Sequence, residues 1–90
     1  ISNVQCIPHI WGSGIALMTG IHAAFSLPDY PPSLEPAPVL LEYDQTPNVF
    51  RERLATGIPE LIDGWLEAPK APGLGIEVDE AVIHEYAVLE

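Results

Sequence analysis

The chain reads as an α/β protein, and three observations predict it. Two short apolar runs, Val4–Pro8 and Val39–Tyr43, have strand character. They flank an uncharged helical stretch from Gly14 to Ser26. Strand, helix and strand within so short a span make a βαβ unit, here with a long second connection. The segment from Asn48 onward is different: it mixes turn signals with short strand-like and helix-like runs.

Taken in order, Val4-Gln5-Cys6-Ile7-Pro8 predicts a short strand that Pro8 ends, because the proline ring removes a ladder donor. Gly12 and Gly14 permit a sharp turn, and Ser13 is placed to cap a helix starting near Gly14. Leu27-Pro28 stops that helix, since the residue before a proline avoids the helical region. Asp29 to Pro38 is proline-rich and aperiodic, so an extended loop is expected. Val39-Leu40-Leu41-Glu42-Tyr43 fits a strand buried on both faces, as in parallel sheets. Asn48 to Leu54 allows one or two helical turns. Ile58–Ile62 and Trp65–Ala68 flank Asp63-Gly64, a strong hairpin signal. Leu74–Val78 alternates like a strand, and Asp79 is placed to cap a short helix from Glu80 to Ala87.

Composition removes several functions. Lys70, Arg51 and Arg53 are the only cations against thirteen acids, giving a net charge of −10. No basic patch can form to neutralise phosphates, so neither nucleic acid nor an anionic membrane surface is an expected partner. The run Ile10 to Leu27 approaches the length of a membrane span, but small and polar residues interrupt it and no basic flank adjoins it. The lone Cys6 permits no internal disulfide, so a reducing, cytoplasmic setting is expected. No acid, lysine or arginine occurs before Asp29. A helix apolar on every face needs burial on most sides, and a small domain buries only about 60% of its unfolded surface. The chain is therefore expected to be a truncated or processed piece of something larger.

Two residues stand out for chemistry. His9 follows a strand-like run, and side chains at the carboxyl ends of strands in α/β folds face the active site. A histidine there can exchange protons near neutral pH, although a lone histidine beside an apolar run is also a common structural residue. Glu42 lies within the second strand-like run. It is either solvated or paired to Arg51 or Arg53, or it is a carboxyl group on the same face as His9. In the second case burial would keep it protonated and able to donate a hydrogen bond to a developing oxyanion. Trp11 is either core or a wall beside that site. His9, His22 and His84 lack metal-ligand spacing, and Gly12-Ser13-Gly14 lacks the lysine and longer glycine pattern of a phosphate cradle.

Ile7-Pro8-His9-Ile10-Trp11-Gly12-Ser13-Gly14, the apolar helix, Leu41-Glu42-Tyr43-Asp44-Gln45-Thr46-Pro47-Asn48 and the tail Pro72-Gly73-Leu74-Gly75-Ile76-Glu77-Val78-Asp79 resemble the C-terminal part of the enolase superfamily. The branch is that of mandelate racemase and muconate lactonizing enzyme. The resemblance covers nearly the whole chain and roughly the last quarter of a family member. It implies a modified (β/α) TIM-like barrel with an α+β capping domain. Residues 1–47 would supply the last barrel strands and helix, and residues 48–90 the return to the capping domain. The family removes a proton α to a carboxylate and stabilises the enolate on Mg²⁺. By resemblance His9 is the general acid or base, Glu42 is the carboxyl that hydrogen-bonds the substrate carboxylate, and Trp11 lines the substrate site. The Mg²⁺ ligands, the lysine motif and the Asp that pairs with the histidine fall outside this chain, so no metal ligand is expected in it.

Two functions follow from this reading. One is the C-terminal part of a Mg²⁺-dependent acid-sugar dehydratase or lactone cycloisomerase, acting on a carboxylate substrate within a homo-oligomer. The Pro-His-x-Trp-Gly signature resembles those members most. The other is a non-catalytic fragment or subunit that docks through its apolar helix on another chain.

Overall fold

The computed structural model describes residues 5–28 and 38–88. Strand β1 (His9–Ile10) leads into helix α1 (Gly14–Phe25), and strand β2 (Glu42–Tyr43) pairs parallel to β1. Helix α2 (Val49–Glu52) follows, then strand β3 (Ala55–Thr56), strand β4 (Glu77–Val78) and helix α3 (Glu80–Glu85). β3 and β4 form a separate antiparallel pair. The result is a small mixed α/β arrangement with the βαβ unit at its front.

Helix α1 starts and stops where local chemistry dictates. The Ser13 hydroxyl accepts from the Ala16 amide at 3.2 Å, a cap that typically contributes about 1 kcal/mol. Ser26 closes the helix, its amide donating to the carbonyls of His22 and Ala23. One face of α1 carries the core: Leu17, Met18 and Ile21 are at most 3% exposed. Burying each such side chain is worth roughly 1.5–3 kcal/mol. Ile10, Leu41, Tyr43, Ile58, Leu66 and Ile76 pack around them, so both strand pairs rest on the same helix. Gly20 allows this approach, because a Cβ there would lie 1.7 Å from Ile10 Cδ1. Burial is not complete on the other faces: Phe25 remains 50% exposed.

Several sequence expectations need correction. Pro8 does not end the first strand; it precedes β1, and its carbonyl accepts from the Glu42 amide at 3.1 Å. A proline lacks a donor but keeps an acceptor, and the parallel ladder uses that acceptor here. The second run is a strand only at Glu42–Tyr43, and Leu40 is 53% exposed, so it is not buried on both faces. The expected Asp63-Gly64 hairpin is a tight turn closed by one bridge, Ile62 to Trp65. Both turn residues have positive φ, 50° and 80°, as such a turn requires. The strand-like run Leu74–Val78 is reduced to Glu77–Val78, and its partner Ala55–Thr56 has no strand signal of its own. Asp79 caps α3 as expected, accepting from the Ala81 amide at 3.0 Å, although the helix ends at Glu85. The expected loop Asp29–Pro38 lies outside the described residues but for Pro38.

Candidate active site

The β1–β2 register places His9 directly beside Glu42. Adjacent strands lie about 4.8 Å apart, and register partners on parallel strands point to the same face. The side chains meet: His9 Nδ1 and Glu42 Oε2 share a hydrogen bond. One proton therefore lies between them, on the imidazole with Glu42 ionised or on the carboxyl with His9 neutral. Either way His9 Nε2 is left free to exchange a proton elsewhere. The side chains are 75% and 59% exposed, so the burial expected around Glu42 is not supplied by the described residues. Trp11, 73% exposed, opens the turn immediately after β1.

Neither arginine pairs with Glu42. Arg51, whose side chain is 11% exposed, donates from Nη1 to Asp44 at 2.9 Å and from Nη2 to the Thr46 carbonyl. Arg53 donates to Glu85 at 2.8 Å, and that carboxylate raises the guanidinium pKa. Asp44 is held below the ordinary carboxylate value by the Thr46 amide first, then by the Thr46 hydroxyl and Arg51. These bonds turn the segment after β2 into an internally satisfied polar loop.

Asn48 closes that loop, and sequence reasoning passed over it. Its Oδ1 accepts from the Phe50 and Arg51 amides at 3.0 and 3.3 Å, capping α2. Its Nδ2 donates to the Gly12 carbonyl at 3.1 Å, across 36 residues of sequence. The first role is legible, since an Asn before a helical turn is a favoured cap. The second depends on the fold. His22 is structural: its Nε2 bonds the Leu74 carbonyl at 3.0 Å and ties the tail to α1. Ser13 caps a helix rather than a phosphate. Among the described residues no three His, Cys, Asp or Glu side chains converge, so these residues do not fit a divalent cation by themselves. No helix among the described residues is long and apolar enough to cross a membrane.

Similarity to known proteins agrees with the tail and strand motifs. Residues 2–82 match the family described as enolase C-terminal domain-like. The chain is 28% identical over 86 residues to D-galactarolactone cycloisomerase of Agrobacterium fabrum (strain C58 / ATCC 33970). That alignment covers 96% of this chain and 23% of the relative, so the chain spans about a quarter of the curated protein it matches. No solved structure matches it significantly. With residues 2–82 matched, the chain belongs to the enolase superfamily, as a C-terminal portion of the mandelate racemase and muconate lactonizing branch.

Proposed function

We propose that this chain supplies the proton-handling end of an enzyme that removes a proton α to a carboxylate, with an acid sugar or its lactone as substrate. The contact between His9 Nδ1 and Glu42 at neighbouring strand ends carries this reading. His9 takes or returns the proton through Nε2, and before substrate enters Nδ1 holds the ring against Glu42. When substrate enters, Glu42 turns its carboxyl to the substrate carboxylate and donates a hydrogen bond as negative charge develops. Trp11 forms a wall of the substrate site. The similarity to a galactarolactone cycloisomerase favours a lactone cycloisomerase or an acid-sugar dehydratase. Residues 1–47 belong to the barrel and 48–90 to the return toward a capping domain.

Enolase superfamily members generally use Mg²⁺. Its ligands would come from the remainder of the enzyme, and the chain alone is inactive on this reading. An apolar groove of about 690 Å³, lined in part by Ile21, Phe25, Leu41, Tyr43 and Trp65, supports placement within a larger body. The same groove also suits the docking-fragment reading, which differs in predicting no role for His9.

Turnover of a panel of hexarates and their lactones by the intact enzyme and by His9→Asn decides between them. Asn keeps a polar side chain but has no titratable nitrogen, and loss of a general acid or base typically costs 10²–10⁴-fold in rate. Parent-like turnover by His9→Asn on the best substrate would make His9 structural and remove the proposal.

A further inference from the structure

The strand pair that carries His9 and Glu42 is two residues long on each side. So short a ladder gives little lateral restraint, and two polar side chains meeting at its end need their backbones fixed by something else. The loops leaving the two strands supply the fixing. After β1 comes the Trp11-Gly12-Ser13 turn, and after β2 the Asp44–Asn48 loop, which Arg51 and Thr46 hold from within. A side chain joins the two: Asn48 reaches back from the start of α2 to the Gly12 carbonyl. Gly12 stands three residues after His9, and Asn48 six after Glu42.

We infer that Asn48 is a positioning residue, a latch that locks the β1–α1 turn to the β2–α2 loop and so fixes His9 relative to Glu42. The inference rests on the proposed function above. The amide is suited to both tasks. Its oxygen accepts from two helix-start amides, and its nitrogen donates to a carbonyl on the other loop. Aspartate and serine cap a helix about as well as asparagine. Neither serves the second task, because a carboxylate cannot donate to the Gly12 carbonyl and the serine hydroxyl is too short to reach it.

The test uses Asn48→Asp and Asn48→Ser in the intact enzyme, each alone and combined with His9→Asn. With the cap kept, both variants should melt within a few degrees of the parent. Misplacement of reacting groups is costly, so kcat should fall about tenfold while KM changes less than about twofold. If Asn48 acts through His9, that loss should vanish in the His9→Asn background, as expected for residues of one unit. Hydrogen exchange of the Trp11–Gly14 backbone should rise about tenfold in both single variants. Parent-like kcat in Asn48→Ser, an equal loss in the His9→Asn background, or unchanged exchange would each overturn the inference. Raised exchange together with a fully active His9→Asn enzyme would overturn the catalytic proposal and leave the latch in place.

Discussion

The two strand pairs are equally short, but they are held in different ways. β3–β4 is accompanied by apolar burial: Leu54 just before β3, Ala55 within it and Val82 in α3 are each at most 8% exposed. It is extended by the Asp79 amide, which donates to the Leu54 carbonyl at 2.7 Å. β1–β2 puts Ile10 and Tyr43 against α1 but leaves its other two residues, His9 and Glu42, exposed. Its loops are tied by polar groups, Asn48 to Gly12 and Arg51 to Asp44. On the proposed function, the difference separates stability from chemistry. Among the described residues, the part around β3–β4 has buried apolar side chains, while β1–β2 keeps the polar side chains of His9 and Glu42 open and has its loops tied by polar contacts.

Two glycines allow that division to be broken from either side. Gly57 has φ +95°, and a Cβ there would lie 2.6 Å from the Gly75 carbonyl oxygen. Backbone cannot move aside as a side-chain tip can. Gly57→Ala should therefore destabilise the intact enzyme by about 2–4 kcal/mol, from left-handed strain and the clash together. The surviving folded enzyme should keep its kcat. At Gly20 the obstacle is the Ile10 side chain, and alanine's better helix propensity offsets part of the clash. Gly20→Ala should cost about 1–2 kcal/mol. Because Ile10 adjoins His9, kcat should drop more here than in Gly57→Ala. Melting curves and kcat for both variants check this, and a larger kcat loss in Gly57→Ala would contradict the division.

A smaller effect concerns pH. Asp44 titrates below its ordinary value of 3.8 in the folded chain. A depressed carboxylate stabilises the fold above its unfolded value and loses that contribution as pH falls through the folded value. The stability difference between parent and Asp44→Asn should thus be level near neutrality and shrink below about pH 4. Melting temperatures across that range measure it. A difference that stays constant into strong acid would show that Asp44 holds the loop by shape rather than by charge.

The sequence showed helix α1 well, because capping and a proline stop are local chemistry at Ser13 and Pro28. It also put His9 beside Glu42, since a βαβ reading pairs the two strands, but each residue opens its strand where a carboxyl-end position was expected. Strand lengths were overestimated: Val39–Leu41 is apolar enough for a strand, but pairing rather than hydropathy decides whether a ladder extends. β3 was missed because Ala55–Thr56 becomes a strand only when Glu77–Val78 returns beside it. Pairing of Glu42 with Arg51 or Arg53, one of the alternatives the sequence left open, does not occur, for a related reason. Arg51 lies closer in sequence to Asp44 than to Glu42, and the loop geometry that selects Asp44 comes from Thr46 and Asn48.

On the proposed function, Glu42 works beside His9 as a carboxyl that donates to developing negative charge. The most direct measurement is turnover of the best hexarate or lactone by Glu42→Gln and Glu42→Ala in the intact enzyme. Gln keeps a donor at the same reach, whereas Ala leaves the developing charge without its partner. Losing such a donor typically costs 10²–10³-fold in kcat, so Glu42→Ala should fall in that range and Glu42→Gln should lose about tenfold. Equal damage in the two variants would rule out the donor role and make Glu42 a carboxylate that serves only to hold His9.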